Sequence, residues 1–129
     1  NEYIVRLGDI LLLEAEAYAS KGDVQNSARL VNMIRKRAKL NDLTADQTST
    51  KEKMMEAVLH ERRLELAMEG ERWYDLCRYG KVEEVMNTLK SRDSGRLALA
   101  RPYDANSYLM PIPQTALDEN ENLRQNPGY

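Results

Sequence analysis

Apolar residues recur at intervals of three and four along most of residues 4–89, and this spacing limits the fold more than any other feature. Side chains at such intervals lie on one face of an α-helix, and that face must be buried against another element. Residues that interrupt helices are scarce, with six glycines and four prolines among 129 positions. The spacing therefore predicts an all-α fold.

Residues 1–40 are predicted to form a helical hairpin. The first helix is expected over residues 3–18 and the second over residues 24–38, with Gly22 ending the first and Asp23 capping the second. Two helices joined by so short a connection must lie antiparallel to each other. The residues expected on the inner face of the first helix are Ile4, Leu7, Leu11, Ala15 and Tyr18, with Leu12 and Ala19 widening this stripe, and those expected on the inner face of the second are Ala28, Val31, Ile34 and Ala38.

Residues 49–90 are predicted to contain a long helix followed by short ones. Ser49 and Glu52 have the spacing of a capping box, in which the serine oxygen accepts from an amide of the first turn. The long helix is expected to run to Glu69, because Gly70 interrupts the pattern. Shorter helices are expected over residues 72–79 and 82–89.

Residues 91–129 are predicted to be mostly irregular: a loop, the Pro-Ile-Pro segment at 111–113, a short last helix with Pro113 at its first position, and a tail.

Earlier in the chain, Tyr18, Gly22 and Ala28 approach the tetratricopeptide pattern. We therefore predict stacked antiparallel, tetratricopeptide-like hairpins within a single helical domain of residues 1–129.

Composition excludes several classes of function. Nineteen basic and 21 acidic side chains give a net charge of −2, so no global basic field recruits nucleic acid. The single cysteine, Cys77, excludes an internal disulfide framework, and the single histidine, His60, lacks the second histidine of a helical zinc or di-iron site. We predict no metal and no cofactor.

The densest group of ionisable residues lies between positions 61 and 78. Glu61, Glu65 and Glu69 recur every four residues, which predicts one shared helical face, and Arg72, Asp75 and Arg78 continue at spacings of three. In an enzyme, two of its carboxylates would form an acid/base pair, one with a raised pKa. The neighbouring arginines are instead expected to lower the carboxylate pKa values, which favours structural ion pairs over catalysis. We name these residues the ion-pair ladder: Glu61, Arg62, Glu65, Glu69, Arg72, Asp75 and Arg78.

Three other features have a binding and a purely structural interpretation. Tyr103 and Tyr108 are candidate ligand contacts, because a tyrosine ring stacks on the C–H face of a sugar, although simple packing is the alternative. The basic run at residues 34–39 is interpreted as a solvated helix end, where the macrodipole favours cations. Cys77 is interpreted as a buried, inert thiol beside a core tryptophan.

Several sequence blocks occur in an order typical of one family. They are RLGDILL at 6–12, VNMIRKRA at 31–38, ERRLELAMEGERWYDL at 61–76, LMPIP at 109–113 and NLRQNPGY at 122–129. With these blocks the sequence resembles the C-terminal part of SusD/RagB-family proteins. The family's imperfect helical hairpins also resemble the near-tetratricopeptide pattern.

The resemblance implies a fragment of a longer, non-enzymatic lipoprotein at the outer membrane of a Gram-negative, Bacteroidetes-like bacterium. Such a protein binds oligosaccharides, less often peptides, and passes them to a TonB-dependent SusC-like porin. Ligand contacts and the lipid anchor would lie upstream, so these residues would be mainly scaffold and Cys77 would not be the anchor. The alternative is a helical-repeat adaptor that binds a partner's peptide in a concave groove.

Overall fold

The computed structural model describes residues 5–89 and 102–129 of the chain. Within these two ranges all regular structure is helical, so the all-α prediction is confirmed. The helices are α1 (Leu7–Ser20), α2 (Val24–Arg37), α3 (Lys51–Glu65), α4 (Arg72–Arg78), α5 (Val82–Asn87) and α6 (Gln114–Glu119), with a short 3-10 helix (Ala105–Tyr108) between α5 and α6. The chain divides into two compact units, residues 1–72 and 73–129. The single domain of residues 1–129 stays a prediction.

The hairpin of α1 and α2 forms where it was predicted. Gly22 ends α1 with a φ of +82°, a conformation that residues with a side chain rarely adopt. Asp23 caps α2, because its carboxylate accepts a hydrogen bond from the backbone N–H of Asn26 at 3.1 Å. The hydroxyl of Ser27, a buried residue that the sequence pattern did not single out, donates to the Ala15 carbonyl at 2.8 Å. This bond joins the two helices inside the hairpin.

The buried face of α1 agrees with the predicted stripe except at its start. Leu12, Ala15 and Ala19 are buried and Leu11 and Tyr18 pack against the core, whereas Leu7 is exposed. The prediction for Leu7 was wrong because α1 is apolar on more than one side, so residue spacing alone does not decide which side is buried. The helix also begins at Leu7, after an extended Arg6; the predicted start at residue 3 lies outside the described residues.

Both ends of α3 differ from the sequence prediction. The side chain of Thr50, rather than that of Ser49, accepts from the backbone N–H of Lys53 at 3.2 Å, while Ser49 donates to the Asp46 carbonyl. The helix ends at Glu65 instead of Glu69, because the chain turns through Met68 and Gly70, whose φ values are +68° and +86°. A left-handed residue cannot continue a right-handed helix.

The core of the first unit lies among α1, α2 and α3. Removing these side chains from water is the main stabilising contribution to such a bundle. The core residues are Leu12, Ala15, Ala19, Leu30, Val31, Ile34, Met54, Ala57 and Val58.

Side-chain bonds to the backbone organise the second unit. The side-chain amide of Asn87 accepts a hydrogen bond from the backbone N–H of Tyr103 at 2.7 Å and donates one to its carbonyl at 2.9 Å. The side-chain amide of Gln125 accepts from the N–H of Ile112 at 2.8 Å and donates to its carbonyl at 3.0 Å. Helix α6 begins at Gln114, so Pro113 is its N-cap and not, as predicted, its first helical residue. Of the predicted irregular region, residues 91–101 lie outside the described residues.

Candidate functional site

The ion-pair ladder does not follow one continuous helical face. Glu61 and Arg62 lie in α3, Glu65 is its last residue, and Glu69 lies in the turn beyond it. Arg72 begins α4, and Asp75 and Arg78 belong to the second unit. The predicted shared helical face of Glu61, Glu65 and Glu69 is therefore wrong, because α3 ends before Glu69.

Buried charges on α3 pair with residues of the other two helices. A carboxylate oxygen of Glu61 lies 2.8 Å from Nη1 of Arg35, near the end of α2. Nη1 of Arg62 lies 2.7 Å from Oδ1 of Asp9, in the first turn of α1. The side chains of Glu61 and Arg62 are both buried, and an ion so placed needs a partner because desolvation is costly.

Glu65 joins the ends of all three helices. Its Oε1 accepts from Nη1 of Arg6 at 2.5 Å and its Oε2 accepts from Nη2 of Arg37 at 2.5 Å. Nη2 of Arg6 also donates to the backbone carbonyl of Glu65. The Glu65 side chain is 7% exposed, so both carboxylate oxygens are occupied in a nearly dry position.

Arg6 holds a second carboxylate at the same place. Its Nε donates to Oε2 of Glu69 at 2.8 Å, and its Nη2 donates to Oε1 at 2.7 Å, which is the two-pronged geometry that arginine provides. The hydrogen bonds from Arg6 lower the pKa of the Glu69 carboxyl below its usual value. Those to Glu69, followed by those to Glu65, raise the pKa of Arg6.

Gly8 leaves room for this arrangement. A Cβ atom at this position would lie 2.6 Å from Oε1 of Glu65 and 2.7 Å from Nη1 of Arg6. Both distances are shorter than real Cβ contacts, so a side chain at position 8 would displace the pair. The glycine therefore permits a close approach of α1 to the ion pairs.

Sequence reasoning missed the residues that pair with members of the ion-pair ladder on and beyond α3. Arg35 and Arg37 were interpreted as a solvated helix end, whereas both hold carboxylates of α3. Arg6 and Asp9 lie in one of the sequence blocks but had no assigned role. No local signal identifies these partners, because the paired residues are 26 to 63 positions apart.

In the second unit two residues of the ladder form a short-range pair. Nη2 of Arg78 lies 2.8 Å from Oδ1 of the buried Asp75, three residues earlier on α4. The described structure thus gives Glu61, Glu65, Glu69 and Asp75 guanidinium partners. An acid/base function would require a carboxyl free to exchange its proton with a substrate.

The two candidate ligand tyrosines are both half-buried in the second unit. The Tyr103 ring centroid lies 6.0 Å from that of Trp73, with the planes tilted by 54°, and its backbone is held by Asn87. Tyr108 ends the 3-10 helix, whose start is capped by Asp104. The side chain of Tyr103 is therefore held by a ring contact, and its backbone is held by two hydrogen bonds.

The described residues contain neither a metal-binding cluster nor a membrane-spanning helix. Among residues 5–89 and 102–129, no three His, Cys, Asp or Glu side chains are grouped closely enough to hold a metal ion. No described helix has the length and apolar character needed to cross a bilayer. His60 is exposed, and Cys77 is a half-buried free thiol.

The fold and this set of ion pairs define a class of protein built from stacked, tetratricopeptide-like helical hairpins with charges paired across the helices. The chain belongs to the SusD family, whose model matches residues 1–129. The resemblance inferred from the sequence blocks is thereby confirmed.

Relatives of known sequence or structure align with the whole chain. SusD-like protein P38 of Formosa agariphila is 33% identical over 135 residues, which cover all of this chain and 25% of that protein. SusD-like protein P2 of the same organism is 33% identical over 140 residues, which cover all of this chain and 26% of that protein. The crystal structure of a SusD-like protein from Bacteroides fragilis is similar at 34% identity with a TM-score of 0.80, covering all of this chain and 26% of that one. The chain thus spans about a quarter of the length of the relatives it matches.

Proposed function

We propose that the chain is part of a non-enzymatic protein for glycan binding and uptake at the outer membrane, and that these residues are mainly its scaffold. The match of the SusD family model to residues 1–129 is the observation that carries this proposal. The proposed ligand is an oligosaccharide or a peptide.

The ion pairs support the scaffold role. Glu61 and Glu65 are held by guanidinium groups from other helices, so their charges serve to join α3 to its neighbours. The pKa of Glu69 is lowered by Arg6, whereas a general acid at neutral pH requires a raised pKa. These features favour architecture over catalysis.

The proposed partner is a TonB-dependent SusC-like porin that receives the ligand. The proposed location is the outer face of a Gram-negative outer membrane, with attachment by a lipid anchor outside these residues. Both proposals follow from the resemblance of the sequence blocks to the SusD/RagB family and from the family model match.

Tyr103 and Tyr108 are the proposed ligand contacts within this segment. A ring that is already held in place loses little conformational entropy when a sugar stacks on it. The contact with Trp73 and the two bonds from Asn87 hold Tyr103 in this way. Tyr108 lies in the neighbouring 3-10 helix.

The test is affinity electrophoresis, against a panel of glycans, of a protein that contains this chain and has the full length of its SusD-like relatives. We expect retardation by at least one glycan, reduced by Tyr103→Ala and Tyr108→Ala but not by Tyr74→Ala, which removes an exposed tyrosine of α4. Retardation that survives both substitutions would overturn the assignment of the two tyrosines. Binding of a protein partner's peptide, without any glycan or nutrient peptide being bound, would favour the adaptor alternative and overturn the proposed function.

A further inference from the structure

A pocket lies between the turn at residues 45–50 and the first half of α3. It has a volume of about 230 Å³, and its lining residues are Asp46, Gln47, Lys53, Glu56, Ala57 and His60. Ala57 is the apolar residue of this lining, and the others carry polar or charged side chains. We name these residues the α3 polar pocket. It belongs to the first unit of the chain, whereas Tyr103 and Tyr108 belong to the second.

Hydrogen bonds hold the turn side of the pocket in place. Oε1 of Gln47 accepts from the backbone N–H of Thr44 at 2.9 Å and from the Thr44 hydroxyl at 3.2 Å. This orientation leaves the Gln47 NH2 group without a partner among the residues that the structure describes. An ion pair between Lys53 and Asp46 joins the turn to α3. The pocket is therefore preorganised, and a ligand would not have to order the turn in order to bind.

Glu56 and His60 line the pocket from α3. They are four residues apart, so they lie on the same side of the helix, and both are exposed. Within residues 5–89 and 102–129, neither side chain has a hydrogen bond or an ion pair with another part of the chain. Glu61 and Glu65 of the same helix are instead held by arginines. Glu56 and His60 are thus available to a ligand without the loss of any contact that stabilises the fold.

The mixture of donors and acceptors selects the chemical class of that ligand. Lys53 and the Gln47 amide donate hydrogen bonds. The Glu56 carboxylate accepts them, and the imidazole of His60 has one nitrogen for each role when it is neutral. An anion would be repelled by Glu56 and a cation by Lys53, so neither sign of charge is favoured.

Hydroxyl groups fit this lining better than apolar groups do. An apolar ligand would remove the polar side chains from water without replacing their hydrogen bonds. A hydroxyl donates one hydrogen bond and accepts up to two, so a ring with several hydroxyl groups pairs with donors and acceptors alike. Such a ring is the unit from which glycans are built.

We propose that the α3 polar pocket binds one monosaccharide unit of a glycan through its hydroxyl groups. Its volume is below the range of about 300–1,000 Å³ typical of pockets for drug-sized ligands, so one sugar ring is enclosed and the rest of the glycan extends outside. The lining contains no tyrosine or tryptophan, so recognition depends on hydrogen bonds and not on stacking. The inference rests on the proposed function and adds a second sugar contact to it.

Chemical modification of His60 tests the inference in a protein that contains this chain and has the full length of its SusD-like relatives. Diethyl pyrocarbonate acylates accessible imidazoles, and trypsin releases His60 in the peptide 54–62, which mass spectrometry quantifies. The sugars are D-glucose, D-galactose, D-mannose, D-xylose, L-fucose and L-rhamnose. We expect at least one of them to slow the modification about threefold or more at saturation. Cyclohexanol, a six-membered ring with a single hydroxyl, should not slow it.

Two results of this experiment would overturn the inference. One is that none of the sugars protects His60, or that cyclohexanol protects it equally well. The other is that His60 stays unmodified in the folded protein and reacts only after unfolding in urea, because the pocket would then be closed to any ligand.

A substitution on the same helix gives a second measurement with the sugar that protects. Glu56→Ala removes the carboxylate and should raise the sugar concentration needed for half-maximal protection about fivefold or more. Lys51→Ala is the matched control, since Lys51 is an exposed, charged residue of α3 outside the lining, and it should leave this concentration unchanged. Equal values for the two variants would contradict the inference.

The results also separate this inference from the proposed function. If a glycan retards the protein in affinity electrophoresis and no sugar protects His60, the α3 polar pocket is not a sugar site and the proposed function stands. If neither a glycan nor a nutrient peptide is bound, the proposed function fails and this inference fails with it.

Discussion

The Arg62 guanidinium lies 2.7 Å from the Asp9 carboxylate, which joins the interior of α3 to the first turn of α1 across 53 positions of sequence. Only 2% of the Arg62 side chain is exposed, so this charge is removed from water almost completely. An ion in such a position is tolerated because the Asp9 carboxylate compensates the lost hydration. The pair therefore constrains how α1 and α3 pack.

Removing this buried cation should destabilise the protein strongly. We expect Arg62→Ala to lower the free energy of unfolding by about 3–5 kcal/mol, because it leaves Asp9 without its buried partner and opens a cavity. The measurement is urea denaturation followed by circular dichroism. Arg63→Ala is the matched control, since Arg63 is the exposed neighbour, and its effect should stay within about 0.5 kcal/mol. Equal effects of the two substitutions would contradict the structural role of Arg62.

Neutralising Glu65 should also be costly. Glu65→Gln keeps the shape of the side chain but removes the charge that two arginines share, and we expect a loss of about 3 kcal/mol in the free energy of unfolding. Glu56→Gln, at an exposed position of the same helix, should change it by about 0.5 kcal/mol or less. A loss of about 0.5 kcal/mol or less for Glu65→Gln would mean that the Arg6–Glu65–Arg37 contacts contribute little to stability.

The exposed pair of Arg6 and Glu69 should make stability depend on pH on the acid side. Because Arg6 lowers the pKa of Glu69 below its ordinary value of 4.5, the folded state favours the ionised carboxylate more than the unfolded state does. The contribution is therefore complete above pH 4.5 and is lost as the pH falls through the lowered pKa. Urea midpoints should converge for the wild type and Glu69→Gln as the pH is lowered from 7 to 3.

Added salt gives a check on the same pair. Since Glu69 is exposed, 1 M sodium chloride should reduce the difference between the wild type and Glu69→Gln at pH 7. An NMR titration of the Glu69 side chain reports the direction of the pKa shift directly. A pKa at or above 4.5 would contradict the predicted acid dependence.

The position of the α3 cap can be tested with two adjacent residues. Thr50→Ala removes the acceptor for the Lys53 amide and should cost about 1 kcal/mol. Ser49→Ala removes only a hydroxyl that donates to the Asp46 carbonyl at an exposed turn, and should cost about 0.5 kcal/mol or less. The reverse order in thermal or urea denaturation would restore Ser49 as the N-cap.

Features that depend on near neighbours in sequence were predicted well. The turn at Gly22 and the cap at Asp23 involve residues within a few positions of one another, so spacing and residue type are enough to identify them. Asp75 and Arg78 were assigned to the ion-pair ladder from local spacing of the same kind, and in the structure they pair at a spacing of three. Where two adjacent residues have similar chemistry, as Ser49 and Thr50 do, the pattern does not distinguish them, and the cap was placed one residue early.

Predictions that depend on contacts between distant segments were less successful. Leu7 was wrongly expected in the core because the sequence of α1 is apolar on two sides, and only packing against α2 and α3 decides which side is buried. The end of α3 depends on the left-handed conformation of Met68, a residue type that rarely adopts it. Neither feature has a signal in residue spacing.

The sequence by itself determined that this chain forms helices, where its first hairpin turns, and, through its ordered blocks, the family to which it belongs. Helix periodicity, turn residues and caps are local properties, so they can be recognised without coordinates. Only the tertiary structure decided which arginine holds which acid: Arg6 and Arg37 with Glu65, and Arg62 with Asp9. Attraction between charges depends on distance in space, and the distances between these groups are set by how the helices pack.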